Sequence, residues 1–180
     1  MIEEEKAITI LIQPFKGVQS ESVEFVAKEI RKIYPKVKTL DPIDIPENTY
    51  YKPRNRYRAD ALISFLSKNT KEGFVTIGLT SKDISATKGN VKDFGIMGLG
   101  FRPGNACIAS SFRLDKKNTH DQFFKIAVHE LGHTQGLKHC PSKKCFMRSA
   151  EGKNPTDEET GFCEKCKQAL IKKNWKFSSI

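Results

Sequence analysis

The sequence predicts an α/β (α+β) fold in one domain: a twisted mixed sheet packed on two or three helices, followed by a small C-terminal subdomain. Three observations support this prediction. The first half of the chain alternates short β-branched apolar runs with apolar residues at helical spacing. A long amphipathic helix follows. Four cysteines then lie in a segment with little apolar sequence of its own. We therefore expect an N-terminal subdomain over residues 1–136 and a C-terminal one over 137–180.

The chain begins with a strand, a helix and a second strand. The first strand is predicted over residues 7–12, a continuous β-branched apolar run. A helix is predicted to begin at Ser20, which can cap it, and to end before Pro35. The second strand is predicted over residues 37–40. This order favours a right-handed crossover and a parallel pair of strands.

The middle of the chain predicts another helix and another strand. Three prolines indicate a loop over residues 41–53. A helix is predicted over 57–67 and a strand over 73–79, whereas residues 80–92 are polar and predict a loop. The stretch 50–57 is rich in tyrosine and arginine. It is either a rim that faces a substrate or a loop that packs before the helix, and we favour packing.

A glycine-rich stretch, residues 94–103, and an apolar strand, residues 105–112, precede the long helix. Cys107 lies in that apolar strand and is expected to be a buried small hydrophobe. The long helix is predicted to begin at Thr119, which would form a capping box with Gln122.

The long helix contains the pattern H-E-x-x-H-x-x-G-x-x-H. His129 and His133 are four residues apart, so both imidazoles lie on one helical face and can reach one ion. Gly136 adopts a left-handed conformation at little cost, which lets His139 turn back as a third ligand. Three neutral imidazoles leave one tetrahedral position open, as in a catalytic zinc site. Glu130 is badly placed as a ligand but well placed to act on a water held by the metal.

The four cysteines Cys140, Cys145, Cys163 and Cys166 form a C-x4-C pair and a C-x2-C pair. Disulfides would need an oxidising compartment. A redox-active second pair would leave the first pair unexplained. A tetrahedral zinc held by all four thiolates uses every cysteine at ordinary spacing, and we favour it. His139 precedes Cys140, and neighbours in an extended chain point to opposite sides, so each could bind one metal.

The run from His129 to Cys166 resembles the archaemetzincins, a family of metzincin zinc metallopeptidases. The resemblance implies two zinc ions, one catalytic and one structural, and it makes Met147 the Met-turn residue beneath the catalytic zinc. It implies peptide-bond hydrolysis by a zinc-bound water, with Glu130 as base and then acid. Aminopeptidase and endopeptidase both stay open. The spacing from Met147 to Cys163 is slightly shorter than expected, and a loop in residues 151–161 can absorb the difference.

The resemblance also implies a metzincin-like sheet whose antiparallel edge strand lies above the zinc. A peptide substrate would pair with that edge through its main chain. We place the edge strand in residues 95–102 or 107–111. The cysteine site would hold a C-terminal helix, over residues 162–173, against the core.

Composition restricts the partners of the chain. The charged content is 29% and the net charge is +10, but the lysines are scattered, which favours a solvated surface. No basic helix or aromatic platform stands out, so nucleic acid is not an expected partner. No apolar run is long enough to cross a membrane. Residues 1–5 are acidic, unlike a signal peptide, and no pro-segment is recognisable, so we expect a cytoplasmic protein. We also expect a monomer that takes peptide substrates.

An alternative function belongs to another class. The chain could be a zinc-stabilised module that binds nucleic acid or protein while its catalytic site stays idle. Glu130 would have no structural use in such a module, so the sequence favours the peptidase.

Overall fold

The structure, a computed structural model, describes residues 5–178; residues 1–4, part of the acidic N-terminus, lie outside it. Within that range the strands are β1 (Thr9–Pro14), β2 (Val37–Thr39), β3 (Tyr50–Tyr51), β4 (Arg56–Arg58), β5 (Phe74–Thr80), β6 (Ile84–Lys88), β7 (Val91–Ile96), β8 (Gly98–Gly100) and β9 (Ala106–Ser110). The α-helices of the same range are α1 (Ser20–Arg31), α2 (Ala59–Lys68), α3 (Thr119–Thr134) and α4 (Glu164–Ile171). None of these helices is long and apolar enough to cross a bilayer.

The main sheet has five strands in the order β2-β1-β5-β9-β8. The first four are parallel, and β8 runs antiparallel to β9, with Gly98 opposite Ala109 and Gly100 opposite Cys107. The mixed sheet with an antiparallel edge strand is therefore confirmed. The edge strand lies in the first of the two predicted stretches. Among the described residues, no strand pairs with the outer edge of β8.

Helices cover both faces of the main sheet. Alternate residues of β9 show this: Cys107 and Ala109 belong to the core that includes α1 and α3, whereas Ile108 packs with α2. The helix α1 buries Val23 and Ile30 against the same core as α3, at the spacing that the sequence predicts. Cys107 is fully buried, as expected of a small hydrophobe.

A second sheet, in the order β3-β4-β6-β7, corrects the prediction of a loop over residues 80–92. The missed element is the antiparallel hairpin of β6 and β7. Its strands contain lysine, serine and threonine and show little apolar alternation. Buried ion pairs hold it instead: Arg56 contacts Asp83 at 2.8 Å and Asp93 at 3.0 Å.

The predicted capping box is wrong, although α3 begins at Thr119 as predicted. The Thr119 hydroxyl donates to the carbonyl of Asp115 at 2.7 Å, and the Gln122 amide oxygen accepts from the N–H of Asp115 at 2.9 Å. Both side chains thus fasten the preceding loop. Ser20 does not cap α1 either, since Gln19 occupies the N-cap position.

Candidate catalytic cleft and cysteine cluster

Three histidines converge beside the edge strand. His129 and His133 lie one turn apart on α3, and their Nε2 atoms are 3.1 Å apart. The chain leaves the helix at Gly136, whose φ is +96°, and returns to bring His139 against the other two rings. One nitrogen from each histidine lies within 4.8 Å of the other two. The predicted left-handed exit at Gly136 is therefore present.

The three nitrogens fit a zinc ion. Zinc–nitrogen bonds of about 2.0–2.1 Å in a tetrahedron place two nitrogens about 3.3 Å apart. The Nδ1–H of His129 donates to the carbonyl of Phe146 at 2.6 Å, and that of His133 donates to the carbonyl of Leu137 at 2.7 Å. These bonds leave both Nε2 lone pairs free for a metal. Burial lowers the pKa of His129 to about 3, so the ring is neutral at neutral pH.

Glu130 lies next to this group but turns towards the edge strand. It is only 6% exposed, and burial raises the pKa of its carboxyl group well above the ordinary value. Two glycines of β8 make room for it. A Cβ added to Gly98 would lie 2.8 Å from Glu130 Oε1, and one added to Gly100 would lie 3.3 Å from Oε2. The sequence marks this stretch as glycine-rich but gives no sign of what the glycines face.

Met147 is fully buried beneath α3. A Cβ on Gly132 would overlap the Met147 sulfur, so the glycine lets the methionine pack directly against the helix. Gly132 lies three residues after His129 and directly before His133, so Met147 packs against the part of α3 that carries both helical histidines.

The four cysteines converge in a separate group. Their sulfurs all lie within 4.8 Å of one another, and those of Cys140 and Cys163 are 3.6 Å apart. Disulfide sulfurs would be about 2.05 Å apart, so the cysteines are not cross-linked. Zinc–sulfur bonds of about 2.3 Å place tetrahedral sulfurs about 3.8 Å apart. The N–H groups of Met147 and Cys163 donate to the Cys145 sulfur at 3.4 and 3.3 Å, as suits a thiolate. The set fits zinc.

A cavity of about 600 Å³ opens beside the three histidines. Strands β7 and β8 line one side of it, and residues 148–156 also line it. Among the described residues, none of the stretch 50–57 lines this cavity, which supports its interpretation as a packing segment. Glu159 does line it, and sequence reasoning missed this residue, because the acidic stretch around it resembles a solvated turn.

Comparisons with known proteins identify the family. The model of peptidase family M54 matches residues 11–173. A curated archaemetzincin from Archaeoglobus fulgidus is 36% identical over 162 residues, which cover 87% of this chain and 95% of that protein. The crystal structure of an archaemetzincin from Archaeoglobus fulgidus, complexed with malonate, has a TM-score of 0.76 and 30% identity, and the match covers 90% of this chain and 99% of that one.

A second solved structure gives the same result. The archaemetzincin from Methanopyrus kandleri has a TM-score of 0.80 and 27% identity, and the match covers 97% of this chain and 99% of that one. Both likenesses extend over nearly the whole fold described above, and the residues that the family model matches contain the three histidines and the four cysteines. The chain therefore belongs to peptidase family M54, the archaemetzincins, and is a zinc metallopeptidase.

Proposed function

We propose that the three-histidine site hydrolyses peptide bonds, with Glu130 as general base and then general acid. The observation that supports this proposal most directly is the buried Glu130 carboxylate, which lies beside three metal-competent histidines and lines an open cavity. His129, His133 and His139 would be the ligands of the catalytic zinc. Zinc bound there would act as a Lewis acid that lowers the pKa of a water and polarises the scissile carbonyl.

Glu130 has the environment that proton transfer requires. A base that must later act as an acid works best when its pKa lies near the working pH, and burial raises the pKa of Glu130 in that direction. The carboxylate would take a proton from the attacking water and pass it to the leaving amine. Its fixed position against Gly98 and Gly100 would keep it aimed into the cavity.

The edge strand β8 offers a way to hold the peptide. Its outer edge is unpaired within residues 5–178, and Gly98, Leu99 and Gly100 all line the cavity. An extended substrate would add to this edge through main-chain hydrogen bonds, which do not depend on side-chain sequence. This arrangement supports peptides as the substrate class.

We also propose that the cysteine cluster binds a second, structural zinc. Cys140, Cys145, Cys163 and Cys166 would be its ligands, and residues 137–180 would form a subdomain that depends on it. Four uncrosslinked cysteines in one cluster are typical of a reducing compartment, so we propose a cytoplasmic location. A monomer stays a prediction, which light scattering would test.

The Glu130→Ala variant tests the catalytic proposal. It should retain the wild-type zinc content but lose kcat/KM on peptides by several powers of ten, because only the proton-transfer group is removed. Zinc content is measured by mass spectrometry, and cleavage is measured on a peptide library. An alanine variant that cleaves at the wild-type rate would overturn the mechanism. Salt-dependent nucleic-acid binding with no cleavage by the wild type would favour the binding module.

A further inference from the structure

Glu159 is a buried carboxylate that the proposed mechanism does not use. The residue is 4% exposed and lines the cavity beside the three histidines, together with Ile126, Pro155 and Thr156. Its burial raises the pKa of its carboxyl group to about 7. Taking a carboxylate out of water without a partner is costly, so its position calls for an explanation.

Two neighbouring cations, Lys125 and Arg148, lower the pKa of Glu159 but form no ion pair with it, because each is paired elsewhere. Lys125 forms an ion pair with Asp121 at 2.9 Å and donates to the carbonyl of Thr156 at 2.9 Å. Arg148 forms an ion pair with Glu158 at 2.6 Å. Within residues 5–178, no ion pair or side-chain hydrogen bond to the Glu159 carboxylate is present, so the carboxylate has no direct partner in this part of the chain.

The location of Glu159 limits what could pair with it. The segment just before it is fastened to Lys125, which lies four residues before His129 on α3. Glu159 lines the same cavity as His129 and as Ile126, which lies one helical turn, about 4.5 Å of rise, before His129 on α3. A long lysine or arginine side chain can span such a distance. The amino group of the residue whose carbonyl is cleaved lies only two bonds from that carbonyl, so it reaches less far from the histidines than a lysine or arginine side chain does.

We propose that Glu159 is the recognition group for a basic side chain, lysine or arginine, of the peptide substrate. The proposal rests on the proposed function and names its substrate class. The apolar stem of the side chain would pack along Ile126 and Pro155, and the charged group would reach the carboxylate. An enzyme that selects in this way does not need a free amino terminus, so the proposal favours the endopeptidase form.

Matched peptides test the proposal on the zinc-loaded protein. The two peptides of a pair differ at a single position, which lies on one side or the other of the cleaved bond. At that position one peptide has lysine and the other norleucine, or one has arginine and the other citrulline. Each pair is made with free and with acetylated amino termini. The wild type should prefer the charged peptide at one position by about 10- to 100-fold in kcat/KM, whether or not the terminus is acetylated, because a hydrogen bond to a charged group has this strength.

Two variants separate recognition from structure. Glu159→Gln should abolish the preference for the charged peptide and leave norleucine cleavage within about twofold of wild type. Glu72→Gln is the control: its side chain is exposed and does not line the cavity, and the variant should keep the preference. An equal loss on both peptides in Glu159→Gln, or no preference in the wild type, would overturn the proposal. A preference that disappears on acetylation would assign the site to the amino terminus instead.

A binding measurement keeps this test independent of catalysis. The same peptides are titrated by calorimetry into the zinc-loaded Glu130→Gln variant, with and without Glu159→Gln. Tighter binding of the charged peptide that depends on Glu159 would support the recognition site even if no peptide were cleaved. In that case only the catalytic proposal would fail. Equal binding of both peptides would refute the recognition site.

Discussion

Replacing Gly98 with alanine tests whether β8 makes the space in which Glu130 works. A Cβ at this position would lie 2.8 Å from both Cγ and Oε1 of Glu130 and 3.0 Å from the carbonyl oxygen of Ile108. Favourable contacts between heavy atoms begin at about 3.5 Å, so Glu130 must withdraw by roughly 0.7 Å or β8 must move away from β9. Either response displaces the carboxylate relative to the cavity.

The displacement should reduce both activity and stability. A misplacement of about 1 Å at a reacting group can reduce the rate about 100-fold, so we expect kcat/KM to fall by about 10- to 100-fold. Overpacking should lower the free energy of unfolding by about 1–3 kcal/mol. The zinc content should not change, because the atoms that a Cβ on Gly98 would approach belong to Glu130 and Ile108, which are in neither ligand set.

The assay compares Gly98→Ala with Gly161→Ala. Gly161 has no atom within 4 Å of an added Cβ, so its variant should keep wild-type activity and stability. Both are measured by cleavage of one fluorogenic peptide, urea unfolding and zinc analysis. Wild-type kcat/KM in Gly98→Ala would refute the reasoning. Loss of zinc from that variant would show that the glycine supports metal binding rather than the placement of Glu130.

Three further predictions concern metal content and packing. Purified protein should contain about two zinc ions by mass spectrometry, and the Cys166→Ser and His133→Ala variants should each contain one fewer. A wild type with a single zinc ion, which only Cys166→Ser loses, would show that the histidine site is empty. Gly132→Ala should lower the free energy of unfolding, measured in urea, by about 1–3 kcal/mol, because its Cβ would overlap the buried Met147 sulfur. Unchanged stability would mean that the sulfur moves freely. Asp83→Ala should lower the free energy of unfolding by about 3–5 kcal/mol, because Arg56 and Arg113 both lose a buried partner. A loss below about 1 kcal/mol would contradict this account.

Local patterns were sufficient to predict the helices and both sets of candidate ligands. The position of His129 and His133 on one face follows from the periodicity of a single helix, and the return of His139 follows from one glycine. In the same way, the apolar spacing of α1 predicts the face that it buries. These inferences succeed because each depends on residues close together in sequence.

The missed features depend on contacts between residues far apart in sequence. The β6–β7 hairpin is held by Arg56, which pairs with Asp83 and Asp93 across other strands. These charged residues give no apolar periodicity from which the strands could be predicted. Likewise, Gly98 faces Glu130 and Glu159 faces the cavity only after the sheet and α3 have packed together. No periodicity within one segment reports such a juxtaposition.

The short segment Cys145–Met147 connects the two candidate metal sites. Its cysteine belongs to the sulfur cluster, and the carbonyl of Phe146 accepts the Nδ1–H of His129, which fixes the orientation of that imidazole. The next carbonyl, that of Met147, accepts the N–H of Cys140 at 2.8 Å, and Cys140 directly follows His139. Two of the three histidines are therefore positioned by backbone that the cysteine cluster holds.

This connection gives the cysteine site a role beyond stability. Outer hydrogen bonds to metal-bound imidazoles typically change metal affinity by about 10- to 100-fold when they are lost. If a structural zinc orders the segment that contains the Phe146 carbonyl, then loss of that zinc removes such a hydrogen bond from His129 even though no histidine has changed. With both metals bound, the proximity of the two ligand sets along the chain would act as a mechanical link: one metal site would keep the ligands of the other in the geometry that hydrolysis requires.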